Sequence, residues 1–238
     1  MSGDAPPPGG INRWARHQVW VCTRAQSLIV EMQASRSREF IEWVSPIARE
    51  TFSGQGNAWS PDNLYRLSTR VSRSFIRVDA DEVTYPAHVI LRYRLERAMI
   101  DGDLDAKDLP VAWDDGLKQL LGVSPPDDSQ GCLQDIHWYC GMWGYFPTYT
   151  IGAMAAAQLF ARAKREVTNI ESGLAVGDFG PLMRWLREKV HGLGARYTTN
   201  EILEKATGRA LDPSAFKTHL NTRYLEKGLS QITSPYLF

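Results

Sequence analysis

A mainly α-helical fold is what this sequence predicts, with room for one short strand or hairpin. Apolar residues recur at three- and four-residue steps along most of the chain from Gln26 onward. Prolines stand beside capping residues, as in Ser60-Pro61-Asp62, where helices begin. Only Phe75-Ile76-Arg77-Val78 reads as an extended segment.

Taken in order, the chain opens Pro/Gly-rich, and Trp14 to Ala25 shows no clean period. Leu28, Ile29, Met32, Phe40, Ile41, Val44 and Ile47 then line a helical face, with Glu31, Arg36, Arg38, Glu39 and Glu42 interleaved. Ser60-Pro61-Asp62 opens a helix to about Arg70, since a proline in the first turn loses no hydrogen bond. After the extended segment, Asp81 caps a long helix from Glu82 to about Ile100, ended by Asp101-Gly102-Asp103. Asp105 to Leu121 is a further helix, and Ser124 to Gly131 is a loop carrying Pro125-Pro126. Pro147 to about Glu166 is Ala-rich and apolar, which predicts a central helix. Leu182 to Val190, followed by Gly192 and Gly194, fits a glycine-terminated helix. Thr199 with Glu201 and Glu204, and then Pro213 to about Lys227, predict two more.

Composition bounds the function classes. At 238 residues the chain suggests one domain, or a domain with an appendage. With 43% hydrophobic and 23% charged residues, disorder throughout is excluded. Lys+Arg and Asp+Glu both number 27, so the formal charge is zero, which removes the electrostatic case for nucleic acid or an anionic membrane surface as partner. Three cysteines fit a reducing, cytoplasmic setting better than a disulfide framework. No apolar run nears the ~18 residues of a membrane span.

The five histidines show no HExxH spacing, and there is no CxxC, phosphate loop or dinucleotide fingerprint. Asp81 and Glu82, near Arg77, read on their own as caps or solvated pairs. The densest constellation is Gly131-Cys132-Leu133-Gln134-Asp135-Ile136-His137-Trp138, followed by Gly144-Tyr145-Phe146-Pro147-Thr148-Tyr149. Gln, Asp and His can hold a hydrogen-bond network, and His and Tyr can donate to an oxyanion. By itself the same stretch also fits a polar loop anchored by aromatic packing.

These residues resemble a family. Ile76-Arg77-Val78-Asp79-Ala80-Asp81 is similar to the [IV]RxxAD motif of the thermostable, Taq-type zinc carboxypeptidases, and Gly131 to Trp138 to their GxxQDxHW motif. Gly144 to Tyr149 matches their Gly-Tyr-Phe-Pro-Thr-Tyr stretch, Gln26-Ser27-Leu28 with Ser37-Arg38-Glu39-Phe40 looks like the segment after their His-Glu-Ser motif, and Arg196-Tyr197-Thr198 and Leu211-Asp212-Pro213 fit their C-terminal end. The resemblance covers about residues 26–227 and implies the C-terminal part of the helical, neurolysin-like HExxH-peptidase fold. It implies release of C-terminal residues from peptides by water activated on zinc or another divalent metal, with the substrate's C-terminus as partner and a homodimer as the family's assembly. It also implies roles: Arg77 for the terminal carboxylate, Gln134 and Asp135 for orienting that loop, and His137 and Tyr149 for the tetrahedral oxyanion. In the family the HExxH histidines and the Glu of His-Glu-Ser hold the metal, and the HExxH Glu is the base.

The sequence departs from this pattern at its start. HExxH is absent, and Thr23-Arg24-Ala25 stands where His-Glu-Ser should precede Gln26, so no metal ligand is assigned in this chain. A cationic Arg24 cannot replace an anionic ligand. One permitted coding of Val19 to Ala25, GTA TGG GTG TGC ACG AGA GCC, becomes Met-Gly-Val-His-Glu-Ser when read from its third nucleotide. At the same offset Pro8 to Ala15 permits Trp-Arg-Asp-Gln-Pro-Val-Gly, close to the family stretch between HExxH and His-Glu-Ser. Residues 1–25 are therefore read as a wrong-frame leader produced by one extra nucleotide near Ala25/Gln26, or else an unrelated non-native leader, disordered or poorly packed in either case, and residues 26–238 as the C-terminal helical part of a metallocarboxypeptidase catalytic domain. On this reading the chain is truncated, lacks the zinc site and is inactive alone. The rival reading is a non-catalytic module that binds peptide C-termini through Arg77, or that complements a separate fragment supplying the missing N-terminal half.

Overall fold

The computed structural model describes residues 13–226; the Pro/Gly-rich start and the end of the helix expected to reach about Lys227 lie outside them. Helix α1 (Arg13–Leu28) widens into a π-type turn at Ile29–Ala34 and breaks before α2 (Arg38–Thr51). The break divides the apolar face predicted from Leu28 to Ile47, because the Ser37 side chain caps α2 by accepting the Phe40 N–H at 3.2 Å. Ser60 likewise caps α3 (Pro61–Ser68) through the Asn63 N–H at 3.3 Å.

Asp81 accepts the Val83 and Thr84 N–H groups and leads into α4 (Tyr85–Asp101), which α5 (Leu109–Leu121) follows. Both helices end on a left-handed glycine, Gly102 at φ 82° and Gly122 at φ 70°. The Ala-rich helix is α6 (Pro147–Glu166), with α7 (Ile170–Leu174), which the periodicity does not foretell, and α8 (Gly180–Lys189) after it. A Thr198/Glu201 capping box starts α9 (Thr199–Thr207), and α10 (Ser214–Leu220) runs into a π-type turn at Asn221–Glu226.

The short strand does not form, and there is no strand among the described residues. Ile76 is extended, at φ −92° and ψ 119°, but Arg77–Asp79 closes a 3-10 turn. The Arg77 N–H, which a strand would give to a neighbouring ladder, goes instead to the Gln134 side chain at 2.9 Å.

Helix α6 is the centre of the larger core. Its Ala155, Ala156, Leu159 and Ala163 pack with Ala25, Leu28 and Ile29, and with Trp185, Leu186, Ile202 and Leu203. Small residues on α6 let α1 lie close: a methyl group on Gly152 would sit 2.9 Å from Arg24 Cγ. The poor packing expected for the leader does not extend to Val21 and Ala25. Both are buried, and α1 crosses the Ala25–Gln26 junction without a break. A second core joins α4 and α5 through Leu91, Leu95, Trp113, Leu117, Leu121 and Cys132. Large side chains buried this fully contribute about 1.5–3 kcal/mol each. The segment from Gly131 to Phe146 lies between this second core and the start of α6. No helix among the described residues is long and apolar enough to cross a membrane.

Candidate functional site

The five residues singled out from the sequence converge. Gln134 ties the two motifs together: its Oε1 accepts the Arg77 N–H, and its Nε2 is shared among the carbonyls of Phe75 (3.1 Å), Gln130 (2.8 Å) and Gly131 (3.0 Å). The Asp135 carboxylate accepts from Arg77 Nη2 at 2.6 Å and Nε at 3.1 Å. Its second oxygen accepts from Arg92 Nε, which reaches in from α4, at 2.5 Å. Arg77 Nη1 also donates to the Tyr85 hydroxyl. All three charged side chains are buried, Arg92 wholly so.

His137 Nε2 and the Tyr149 hydroxyl lie 3.1 Å apart, their donor and acceptor roles set by the tautomer. The His137 ring rests on the fully buried Phe146 ring at 4.4 Å, and Tyr149 faces the Arg77 guanidinium at 4.8 Å. Glu96, one turn beyond Arg92, accepts from Trp138 Nε1 at 2.8 Å and from the Gly144 N–H. One carboxylate thus pins both ends of the turn that follows GxxQDxHW.

Burial and the arginines set the protonation states. Burial opposes ionisation of Asp135, but Arg77 and Arg92 outweigh it and hold the carboxyl below its ordinary value. Burial lowers Arg92 to about 10 against the pull of Asp135. His137 is lowered by burial, with Arg77, Arg92 and Arg24 adding to the effect, and Tyr149 is raised by burial. His137 is therefore held toward the neutral imidazole, and Tyr149 keeps its proton. That pair can donate a hydrogen bond to an oxyanion.

Arg24 faces the same site. Its guanidinium lies 4.4 Å from the Tyr149 ring centre and donates to the Tyr145 hydroxyl at 3.4 Å. No carboxylate among the described residues pairs with it. A cavity of about 150 Å³ opens here, lined by Arg24, Leu28, Met32, Tyr85, Tyr149 and Phe216 among others. Among the described residues no group of three or more His, Cys, Asp or Glu side chains could hold a metal ion. At position 24, where the family resemblance expects a ligand, a cation stands, so the donor set does not fit a metal.

Sequence reasoning missed Arg92, Tyr85 and Glu96, and it misjudged Glu82. The helix expected from Glu82 starts only at Tyr85, so Asp81 holds the turn before it rather than its first residue, and Glu82 is buried and accepts from His219 (2.7 Å), Tyr224 (2.9 Å) and Arg223 (3.1 Å). The only local signal for Arg92 and Glu96 was their place on the buried face of α4, beside Leu91 and Leu95.

Comparison with known proteins agrees with this picture. Residues 21–224 match the family model described as carboxypeptidase Taq (M32) metallopeptidase. Thermostable carboxypeptidase 1 of Pyrococcus furiosus is 41% identical over 201 residues, which cover 84% of this chain and 40% of that protein. Its namesake in Thermus thermophilus is 40% identical, with 84% and 39% covered. The solved structure of Trypanosoma cruzi metallocarboxypeptidase 1 superposes with a TM-score of 0.82 at 42% identity, over 86% of this chain and 43% of that one. The chain thus spans about two fifths of the length of the curated relatives it matches.

Proposed function

This chain belongs to the carboxypeptidase Taq (M32) metallopeptidase family, and on that premise we propose that it carries the substrate-side part of a zinc-dependent carboxypeptidase. The whole enzyme would release C-terminal amino acids from peptides one at a time, in the cytoplasm. The observation that carries the reading is the joining of two distant motifs, with Arg77 of one gripped by Gln134 and Asp135 of the other.

In this reading Arg77 meets the substrate's terminal carboxylate. Asp135 and Tyr85 occupy three of its N–H groups, and Nη1 and Nη2 each keep one hydrogen for a ligand. Gln134 holds the Arg77 backbone and Asp135 orients the guanidinium. Neutral His137 and protonated Tyr149 stabilise the oxyanion of the tetrahedral intermediate. The described residues do not supply a metal site, so we assign the chain no metal-dependent step and propose that it is inactive by itself.

We propose further that residues 1–25 are read in the wrong frame. The position of Arg24 supports this, because its side chain packs against Tyr149, where the restored reading would put the Glu of His-Glu-Ser. A second reading, complementation by a separate N-terminal fragment, is favoured by the exposed Val78, Leu133 and Ile136 beside the motif residues.

The test is to restore the upstream frame and remove the extra nucleotide. The repaired protein is expected to release C-terminal residues from peptides only with a divalent metal present, and the chain as it stands to release none with zinc added. Equal cleavage of free and C-terminally amidated peptides would remove Arg77 from its role. Upstream DNA encoding no HExxH in any frame would sink the frame account.

A further inference from the structure

We propose that Arg92 is a positioning residue for carboxylate recognition. It takes up one oxygen of Asp135 and thereby leaves Arg77 with positive charge to spare for a ligand. The inference rests on the reading of Arg77 as the group that meets a peptide's terminal carboxylate.

Two guanidiniums share one carboxylate here. Asp135 Oδ1 lies 2.6 Å from Arg77 Nη2, and Oδ2 lies 2.5 Å from Arg92 Nε. The trio therefore carries a net charge of one positive unit in a buried setting, where an unmatched charge is costly and favours uptake of an anion. No other carboxylate among the described residues pairs with Arg77 or Arg92. Glu82 is held by His219 and Arg223, Asp81 binds N–H groups of the turn before α4, and Glu96, one turn beyond Arg92, binds the neutral N–H groups of Trp138 and Gly144. His88 and His137 are both lowered by burial, Tyr85 and Tyr149 are both raised by it, and Arg24 at the rim adds a further cation.

Arg92 cannot itself touch a ligand, because it is wholly buried. Its seat is built without a second acid: the His88 carbonyl accepts from Nη1 at 3.0 Å, and the guanidinium lies 4.5 Å from the Trp113 ring centre. A second carboxylate in that place would neutralise the trio. Without Arg92, Asp135 would neutralise Arg77 alone, and the pull on a ligand's carboxylate would fall.

The experiment titrates the full chain with N-acetyl-glycyl-phenylalanine, as free acid and as amide, followed by NMR. The wild type is expected to bind the acid more tightly. Arg92→Met should weaken acid binding roughly tenfold, the effect of a unit charge about 10 Å away at an effective dielectric of about 20. Amide binding should not change, and Arg92→Lys should keep most of the acid preference. If Arg92→Met does not fold, Arg92→Gln, which keeps an N–H donor for Asp135 without the charge, carries the test: a roughly tenfold loss of acid binding with amide binding unchanged supports the proposal, and an unchanged acid preference overturns it. An unchanged acid preference in Arg92→Met, with Arg77→Met abolishing it, overturns the role of Arg92 and leaves that of Arg77 standing. No acid preference in the wild type overturns both.

Discussion

Replacing His88 by leucine should leave the protein about as stable as wild type near neutral pH and relieve much of its sensitivity to acid. The His88 side chain is fully buried on α4, and neither ring nitrogen has a hydrogen-bond partner among the described residues. Burial lowers it to about 4, with Arg92 and Arg77 adding to the effect. The unfolded chain takes up a proton near pH 6.5, whereas the folded one refuses it until about pH 4. Unfolding therefore binds a proton between those values, and stability falls as pH is lowered through that window. At about 1.4 kcal/mol per pH unit, the loss reaches about 3 kcal/mol. Leucine has no such proton to bind, and the His88 carbonyl that Arg92 uses is backbone, so it survives the change. Near pH 7 the variant should lie within about 1 kcal/mol of wild type, because removing unpaired buried polar atoms loses no hydrogen bond. Urea unfolding followed by tryptophan fluorescence, at steps from about pH 7 to pH 4, reads both quantities. The depressed carboxylates Asp135 and Glu82 lose stability in the same direction, but both proteins share them, so the difference isolates His88. Parallel pH curves would refute the argument, as would a variant more than about 2 kcal/mol weaker near neutrality.

Asp135→Asn leaves two buried guanidiniums without their anion and should cost about 3–5 kcal/mol in a urea melt; a loss under about 1 kcal/mol would mean that the network is solvated. Glu82→Gln should loosen the chain's end first, since Glu82 gathers His219, Arg223 and Tyr224 at one carboxylate, and amide exchange should quicken in residues 214–226 before it does in α6. In the repaired enzyme Arg77→Ala should cost about 2–5 kcal/mol of kcat/KM on peptides with a free C-terminus and little on amides. Tyr149→Phe in the same background should lower turnover by about 10²-fold with KM little changed, and a change in KM alone would remove Tyr149 from the oxyanion role.

What could be read in the sequence was what is encoded locally. Helix α6 announced both ends, with Pro147 in its first turn and an alanine-rich run to Glu166. The motif residues announced themselves as words of fixed spacing. Residues whose meaning comes from a distant partner stayed hidden. Arg92 is a single polar residue in an apolar stripe, and its purpose appears only when Asp135, 43 residues later, folds against it. Glu82 looked like a neighbour of the cap Asp81, because its partners lie more than 130 residues away. Phe75–Val78 had the composition of a strand, yet strand formation needs a backbone partner. The Gln134 side chain took the Arg77 donor instead.

The junction at residue 25 divides what packing requires from what chemistry requires. Counting back from Gln26, the proposed restored frame puts a serine at position 25 and a glycine at position 21, where this chain has Ala25 and Val21. All four are small enough for a helix laid against the alanines of α6; Ala25 is buried among them, and Val21 is buried as well. Packing asks for an apolar or small residue of about the right size at the right period, a demand that many sequences meet. Position 24 has no such latitude. Its backbone is held near Gly152, so whatever side chain stands there is delivered to Tyr149. In the proposed restored frame a carboxylate in that place would serve as a metal ligand, and the guanidinium here carries the opposite charge. A wrong reading frame can therefore leave α1 helical and packed while reversing the charge that the site receives.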